Sequence, residues 1–596
     1  MRTARAGAGT IRNDRTDRGG GTGMRTFSRR QVLALGATAM LARPLRAASR
    51  ADASHYAALI RERMASDGLV GVSAAILRDG AIGWSASFGM ADHLRSIAMT
   101  TRTPVAIGSI TKTFTALALQ QLHHRRKLDL DAPLHRLLPE FAIGMRGFDA
   151  DAITLRRIAT HTSGLPTDEF RDLELERASY LDVPRLLRES DIAACPGTIG
   201  LYSNAGYSLL GNVVQVASGQ DYRAYVRDHI LRPLRMARSG FAGDPALPTP
   251  SKSHYPGGRV APAFELRDQP AGGLYASVED LMRYARGMIA GWRGDAASVV
   301  PHAVAQEMFA LHNADILVET NKKGFGWFLF DDGRCTAPYH AGSTIYSNAA
   351  LLLLPQRNAA AAIVVNTVGG DGLAQDFAFD VLQRHGMAPR SIRPAPHLPA
   401  PDPDAGEIEI AATSLAAHVG DYASKNGYLS VERDGPALRE HSDGAWSLLR
   451  PLANGGFRAY ALHDGALRPT GEERHFVDVG PYHVLFRRAA GDESALAHRV
   501  DAATVDIAPL LGCYTHFGYQ TAGAEQLLAA HVERWDGRLP MLRLSYNTGD
   551  YRYPLLFSDA TRAITGGLGP EMTGQTVRFE DGGKVLVYAG ITFRKQ

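Results

Sequence analysis

Lysine is close to absent from this sequence. Of 65 basic residues in 596, 8 are lysine and 57 arginine, so Lys112, three residues after a serine, invites a chemical explanation. Arginine stays protonated, with a pKa above about 12, whereas a desolvated lysine can release its proton and act as a base. Cysteine is scarcer still. Cys195, Cys335 and Cys513 are odd in number, far apart and free of any CxxC or Cys/His spacing, which argues against a disulfide framework or a zinc site and leaves isolated buried thiols. Charge of one sign is also missing: the formal net charge is +4, much of it in the N-terminal leader, so there is no basic footprint for nucleic acid.

What is present is the composition of a folded protein, with 45% hydrophobic and 21% charged residues and no long low-complexity tract. The length predicts two or three domains. At the N-terminus, Ser28 to Leu33, "SRRQVL", precede an apolar run through Ala42 and small residues around Ala47 to Ala53. That is the order of a twin-arginine export signal, so residues 1–53 are expected to be a leader and the protein to be exported, periplasmic or secreted. The apolar run falls short of the ~20 residues that span a bilayer, so no stable membrane insertion is expected. Met24 would place the arginine pair near the start of a conventional signal.

Two hairpins are legible. "GVSAAILRDGAIGWSASFG" (Gly71 to Gly89) flanks an Asp-Gly turn, and "NAALLLLPQRNAAAAIVVNT" (Asn348 to Thr367) flanks a Pro-Gln-Arg-Asn turn and leads into a helical pattern from Gly372 to His385. Helical segments between them predict one antiparallel sheet with helices packed around it, a domain over residues 54–388. Six prolines in the fifteen positions from Pro389 to Pro403 read as a semi-rigid linker, residues 389–408. Beyond it lie short strands and turns in two segments. "GDYAS" at Gly420 runs to "LFRRA" near Phe486, and "GCYTH" at Gly512 runs to "TFRKQ" near Phe593, which predicts two small antiparallel barrels, residues 409–495 and 505–596, from a weak internal repeat.

The chemistry centres on Val105 to Ala116, "VAIGSITKTFTA". Ile110, Phe114 and Leu117 recur at helical spacing, so a helix is expected to start at Ser109 and bury that stripe. Positions three apart share a face, so Ser109 and Lys112 can meet, with the serine N–H at the positive helix end where an oxyanion would be stabilised. Two companions follow. Tyr202 and Asn204 flank Ser203 in "LYSNAGYSLL", and a tyrosine becomes a base near neutral pH only beside positive charge. His340-Ala341-Gly342 precedes Ser343 in "YHAGS", where a glycine at a strand edge admits a substrate backbone. His161 reads as structural, and His123 to Lys127 as a solvated helix end.

Ser109-Ile110-Thr111-Lys112, Tyr202-Ser203-Asn204 and His340-Ala341-Gly342 together resemble the SxxK, YxN and (K/H)xG motifs of the penicillin-recognising serine hydrolases, which include class C β-lactamases, D-Ala-D-Ala carboxypeptidases, D-aminopeptidases and esterases. "ITLRRIATHTSGLP", "YSLLGNVVQVASGQDY" and "PAGGLYASVEDL" extend the resemblance over roughly residues 55 to 388. It implies an α/β (α+β) catalytic domain with an antiparallel sheet flanked by helices. It also implies an acylating nucleophile at Ser109 and a proton-transfer pair in Lys112 and Tyr202. Asn204 would orient substrate and lysine, the N–H groups of Ser109 and Ser343 would form an oxyanion hole, and His340 with Gly342 would hold the substrate and polarise Tyr202.

The sequence departs from the Lys-Thr-Gly of class C β-lactamases, with His340 and Ala341 in place of lysine and threonine. Each lost charged hydrogen bond to a β-lactam carboxylate weakens binding by about 1–3 kcal/mol. His-x-Gly with two trailing barrels is similar to the layout of D-aminopeptidases. The expected activity is therefore hydrolysis of small D-amino-acid peptides, amides or esters, without metal or other cofactor. The rivals are a broad carboxylesterase or weak β-lactamase, and a non-catalytic protein that captures peptidoglycan fragments or another ligand. Barrels covering the cleft are a further expectation.

Overall fold

A computed structural model describes residues 50–596 except 172–177, 264, 317–320, 388–397, 399–401, 403, 425–426, 443, 490–491, 501–504, 517–526 and 568–572. The expected export signal and most of the proline-rich linker lie outside the described residues. Among those described, no helix is long and apolar enough to cross a membrane.

The Asp-Gly turn forms with Asp79 at φ 49° and Gly80 at φ 77°, the paired positive φ values that let a two-residue loop follow the strand twist. It joins β1 (Gly71–Arg78) to β2 (Ala81–Asp92), which is edged by β3 (Ile97–Ala98). A separate three-stranded sheet is made by β4 (Val105–Ala106), β5 (Gly240–Phe241) and β6 (Leu274–Ala276). Later come β7 (Phe328–Asp331), β8 (Thr336–Ser343), β9 (Asn348–Leu354) and β10 (Ala359–Val365), the last two joined through Asn358 at φ 47°. β10 pairs antiparallel with β1, from Val72 opposite Val365 to Leu77 opposite Ala360. The two hairpins therefore share one sheet, ordered β3-β2-β1-β10-β9-β8-β7.

The long helices are α1 (Arg50–Asp67), α2 (Thr111–His124), α3 (Asn204–Ser218), α4 (Val278–Arg293) and α5 (Asp371–Arg384). α1 and α5 cover one face of the sheet and α4 the other. Successive strand side chains point to opposite faces, so Ala74, Ile76 and Leu352 enter the core with Tyr56 and Phe377, while Ala75, Leu77 and Leu351 enter the core with Tyr284 and Phe114. Coverage on both faces is why β9 and β10 read as unbroken apolar runs rather than alternating ones.

Ser109 does not open an α-helix directly. Gly108–Ile110 form a 3₁₀ turn, and α2 begins at Thr111. Nor is the helix buried on a stripe alone, because Thr111 through Leu122 are all buried. Its threonines are accommodated by local bonds: Thr111 Oγ1 donates to Gly108 O at 2.7 Å and Thr113 Oγ1 to Ile110 O at 2.8 Å. The charged end from His124 to Lys127 is exposed, as expected. β8 presses against the turn. Gly108 has φ 51° and a Cβ there would lie 2.6 Å from Ser343 N, while a Cβ on Gly342 would lie 1.9 Å from Ile107 O. Both positions require glycine, which brings the end of β8 alongside the serine.

Two closed eight-stranded antiparallel barrels follow, Gly420–Val500 and Gly512–Lys595. Their openings match: Tyr422 OH donates to His418 O, and Tyr514 OH to Leu510 O, each at 2.7 Å. Their ends do not. "LFRRA" lies in the seventh strand of the first barrel, Tyr482–Ala489, which continues into Asp492–Val500, whereas "TFRKQ" falls in the eighth strand of the second, Ile591–Lys595. The shared pattern is a buried phenylalanine followed by arginine, Phe486 and Phe593, which alternation in any barrel strand produces without common register.

The first barrel packs Val479, Val484 and Phe486 on Ala193, Ala194, Ile199 and Leu201 of the catalytic domain. The second places Thr576 Oγ1 2.7 Å from Asp191 N and Arg578 2.9 Å from Glu189.

Burial suppresses protonation of several histidines. His340 is pushed down to about 3 and His385 and His498 to about 4, while His161 falls well below its usual 6.5. The unfolded chain binds protons at these sites below pH 6.5 and the folded chain does not, so stability present above about pH 6.5 is lost as pH falls towards about 4. Urea unfolding across that window should show falling midpoints, with a shallower slope, by up to about one proton, in His340→Gln. Gly342→Ala should cost about 1–3 kcal/mol in the same assay, because Ile107 O is backbone and cannot move aside cheaply.

Candidate active site

Lys112 is fully buried one turn after Ser109. Its Nζ lies 3.0 Å from Ser109 Oγ, 2.7 Å from Asn204 Oδ1 and 2.8 Å from Ala271 O. The last two atoms can only accept. In an uncharged amine they take both N–H bonds and leave the lone pair facing the serine hydroxyl, while in an ammonium the third N–H points there instead. The site is thus arranged for proton exchange between Ser109 and Lys112 in either direction. The Asn204 amide is oriented by its other end, since Nδ2 donates to Asp168 Oδ1 at 2.8 Å.

α3 delivers Asn204. Ser203 caps it, with Oγ accepting from Gly206 N at 2.8 Å and donating to Pro166 O at 2.6 Å. Asn204 N donates to Thr167 O at 2.7 Å. His161, at φ 59°, accepts from Ser203 N through Nδ1 at 3.0 Å, which requires that nitrogen to be unprotonated and agrees with its lowered pKa. Its ring stacks on Tyr202 at 4.2 Å, and Lys112 Nζ lies 4.7 Å from the Tyr202 ring centroid. His161 is structural in the sense that it holds the Tyr202-Ser203-Asn204 segment, and in doing so it touches the site.

Of the third motif, His340 is 2% exposed, its Nδ1 lies 2.5 Å from Ala341 O, and its ring meets Phe328 edge-on at 5.3 Å. Burial, reinforced by the nearby Lys112 charge, keeps it uncharged near neutral pH. It is not among the residues lining the cavity, and the Phe328 ring it meets lies 6.4 Å from the ring of Tyr202. Gly342 serves the close approach already described. Ser343 reaches the cavity, its Oγ donating to Asn348 Oδ1 at 2.8 Å.

Ser109, half-buried, opens into a cavity of about 320 Å³. Asn204, Ser343 and Thr344 supply neutral polar atoms, and Leu266, Ala271 and Ile345 an apolar side. The ionisable lining consists of two carboxylates, Asp168 and Asp268, with no basic side chain among the lining residues. Asp268 is buried in a two-point pair with Arg267, at 2.7 and 3.0 Å. Neither carboxylate was singled out in the sequence. Each stands just outside a motif block, Asp168 two residues after Pro166 and Asp268 two before Pro270, and that proximity is the one signal that could have found them. Among the described residues, no group of three or more His, Cys, Asp and Glu side chains is placed to hold a metal ion.

Comparison with known proteins agrees with this architecture. A family model described as Beta-lactamase matches residues 56–384, more than half of the chain. "Protein flp" of Staphylococcus aureus (strain MW2) is 26% identical over 312 residues, 50% of this chain and 59% of that protein. "Putative beta-lactamase-like 1" of Homo sapiens is 30% identical over 243 residues, 39% and 49%. The chain thus spans about half to three-fifths of the length of these curated relatives. Among solved structures, SurE with D-Leu aligns at a TM-score of 0.54 and 25% identity, covering 76% of this chain and 100% of that one. The octameric penicillin-binding protein homologue from Pyrococcus abyssi aligns at 0.50 and 23%, covering 73% and 98%, a likeness of fold. With its serine-lysine pair, its seven-stranded sheet and this match, the chain belongs to the Beta-lactamase family within the penicillin-recognising serine hydrolases.

Proposed function

We propose that this protein is a serine hydrolase that forms an acyl-enzyme on Ser109 and cleaves small amides, peptides or esters carrying a free ammonium beside a D-configured residue. The observation that carries the catalytic part is Lys112 Nζ 3.0 Å from Ser109 Oγ, with Asn204 Oδ1 and Ala271 O fixing its other directions. Ser109 Oγ attacks the substrate carbonyl and its proton passes to Lys112. Tyr202, against the lysine, assists return of that proton to the leaving amine or alcohol, and water then releases the acyl group by the reverse path. The N–H groups of Ser109 and Ser343 hold the oxyanion.

Charge supports the substrate class. Among the described residues that line the cavity the ionisable side chains are Asp168 and Asp268, the latter already paired with Arg267, so an ammonium can gain a charge-assisted bond of about 1.5–3 kcal/mol at Asp168 that an anionic group would not find in this lining. That favours a D-aminopeptidase over a carboxypeptidase or β-lactamase. The D configuration is supported by the similar protein crystallised with D-Leu. A second reading, a broad carboxylesterase, draws on the apolar side formed by Leu266 and Ile345, which fits a plain acyl chain. Export through residues 1–53 is part of the proposal, resting on the leader sequence.

Intact-mass analysis with a fluorophosphonate should show one adduct on the wild type and none on Ser109→Ala. Lys112→Ala should lower kcat/KM by at least about 10³. D-alaninamide should be hydrolysed in preference to N-acetyl-D-alaninamide and to short-chain aryl esters. Ester turnover with no preference for the free amine would favour the carboxylesterase. Absence of labelling on folded wild type would favour a ligand-binding protein.

A further inference from the structure

The acidic wall of the cavity is held from outside the catalytic domain. The Gln575 side chain, 1% exposed in the second barrel, faces the peptide of Asp168, and with its amide oriented to match those two backbone partners the pairing is two-point: its oxygen accepts from Asp168 N at 3.0 Å and its nitrogen donates to Asp168 O at 2.9 Å. Gln575 is itself fixed, its N–H donating to Thr565 Oγ1 at 2.9 Å and its carbonyl accepting from Thr565 N at 2.8 Å. Two residues on, the same segment is clamped again, because Phe170 N donates to Ala589 O at 2.8 Å. Gly590 lies so close that a Cβ would meet Glu169 Oε1 at 2.0 Å. From the catalytic side, Arg267 donates to Glu169 O at 2.6 Å while pairing with Asp268. The segment bearing Asp168 is therefore gripped between the second barrel and the buried Arg267.

Asp168 is where that grip reaches the chemistry. Its Oδ1 accepts from Asn204 Nδ2, and Asn204 Oδ1 accepts from Lys112, which faces Ser109. An amide pairing with both backbone groups of one residue works as an added strand partner, fixing the φ and ψ that aim the side chain. A barrel that only covered the cleft would need no bond of this kind.

We infer that Gln575 is a positioning residue through which the second barrel sets the Asp168 carboxylate, and with it the preference for an ammonium-bearing substrate. The inference rests on the functional reading above for its substrate. The loss of a two-point pairing without touching any group on the substrate should appear as a change in selectivity more than in nucleophilicity.

The test uses the full chain with Gln575→Ala and Asp168→Asn. Fluorophosphonate labelling of Ser109 is competed by D-alaninamide or by N-acetyl-D-alaninamide, and hydrogen exchange is followed in a peptide covering residues 165–171. In Gln575→Ala, half-protection by D-alaninamide should need about five- to tenfold more competitor, approaching Asp168→Asn, while half-protection by the N-acetyl compound stays within about twofold and the uncompeted labelling rate, which Asp168 reaches only through Asn204 and Lys112, falls by less than the D-alaninamide shift. Exchange in residues 165–171 should quicken while the barrel peptides away from Gln575 keep wild-type rates. An unchanged D-alaninamide preference overturns the inference, and so does an equal loss for every probe, which marks a purely structural role. If wild type labels without preferring D-alaninamide, the ammonium reading fails and this inference with it. If wild type does not label at all, the catalytic reading has failed, and exchange still decides the positioning claim: unchanged exchange in Gln575→Ala overturns it.

Discussion

Everything at this site depends on keeping a lysine buried. An unpaired ammonium in a protein interior is prohibitively costly, and here the cost is offset by Asn204 Oδ1, Ala271 O and the rings of Tyr202 and Tyr207, 4.7 and 5.5 Å from Nζ. Arginine could not replace it, since a guanidinium neither fits the same three directions nor gives up a proton. In a chain that uses arginine for most of its positive charge, Lys112 is retained by chemistry. Its surroundings follow from that. α2 is buried around its circumference, Gly108 and Gly342 let β8 close on the serine turn, and α3 is capped so that Asn204 arrives beneath the amine.

The same requirement explains why the site is built from several distant segments. Lys112 needs acceptors from two others, Asn204 at the start of α3 and Ala271 beside β6. Asn204 in turn needs Asp168 to orient its amide, and the Asp168 segment is held by the second barrel. The first barrel packs on Leu201, directly before Tyr202. The barrels thus bear on two of the segments that frame the serine, which links a fold of three bodies to one set of hydrogen bonds.

Much of this was legible in the sequence where a signal is local. The hairpins announced themselves through Asp79-Gly80 and Asn358, whose positive φ values few residue types accept. Ser109 and Lys112 were legible because three residues on a helix face bring them together whatever surrounds them. What escaped was set by tertiary packing. The 3₁₀ turn at Gly108–Ile110 lies against β8, and the complete burial of α2 comes from α3 packed along it and from Tyr284 of α4 stacked on Phe114, not from helical periodicity. The uncharged state of His340 follows from its burial, edge-on against Phe328. Asp168 is an ordinary loop aspartate until Gln575 and Asn204 are in place, and no local pattern connects those residues. The similar barrel endings misled for the opposite reason: alternation writes the same few letters into strands that occupy different positions.

The most direct measurement is rapid-quench mass spectrometry of the wild type and Lys112→Ala turning over a D-alanine ester. A transient gain of one D-alanyl group on the peptide bearing Ser109 in the wild type, with none accumulating in Lys112→Ala, is the expected result. Steady turnover with no adduct on Ser109, or equal acylation of both proteins, would contradict a lysine-activated serine as the centre of this structure.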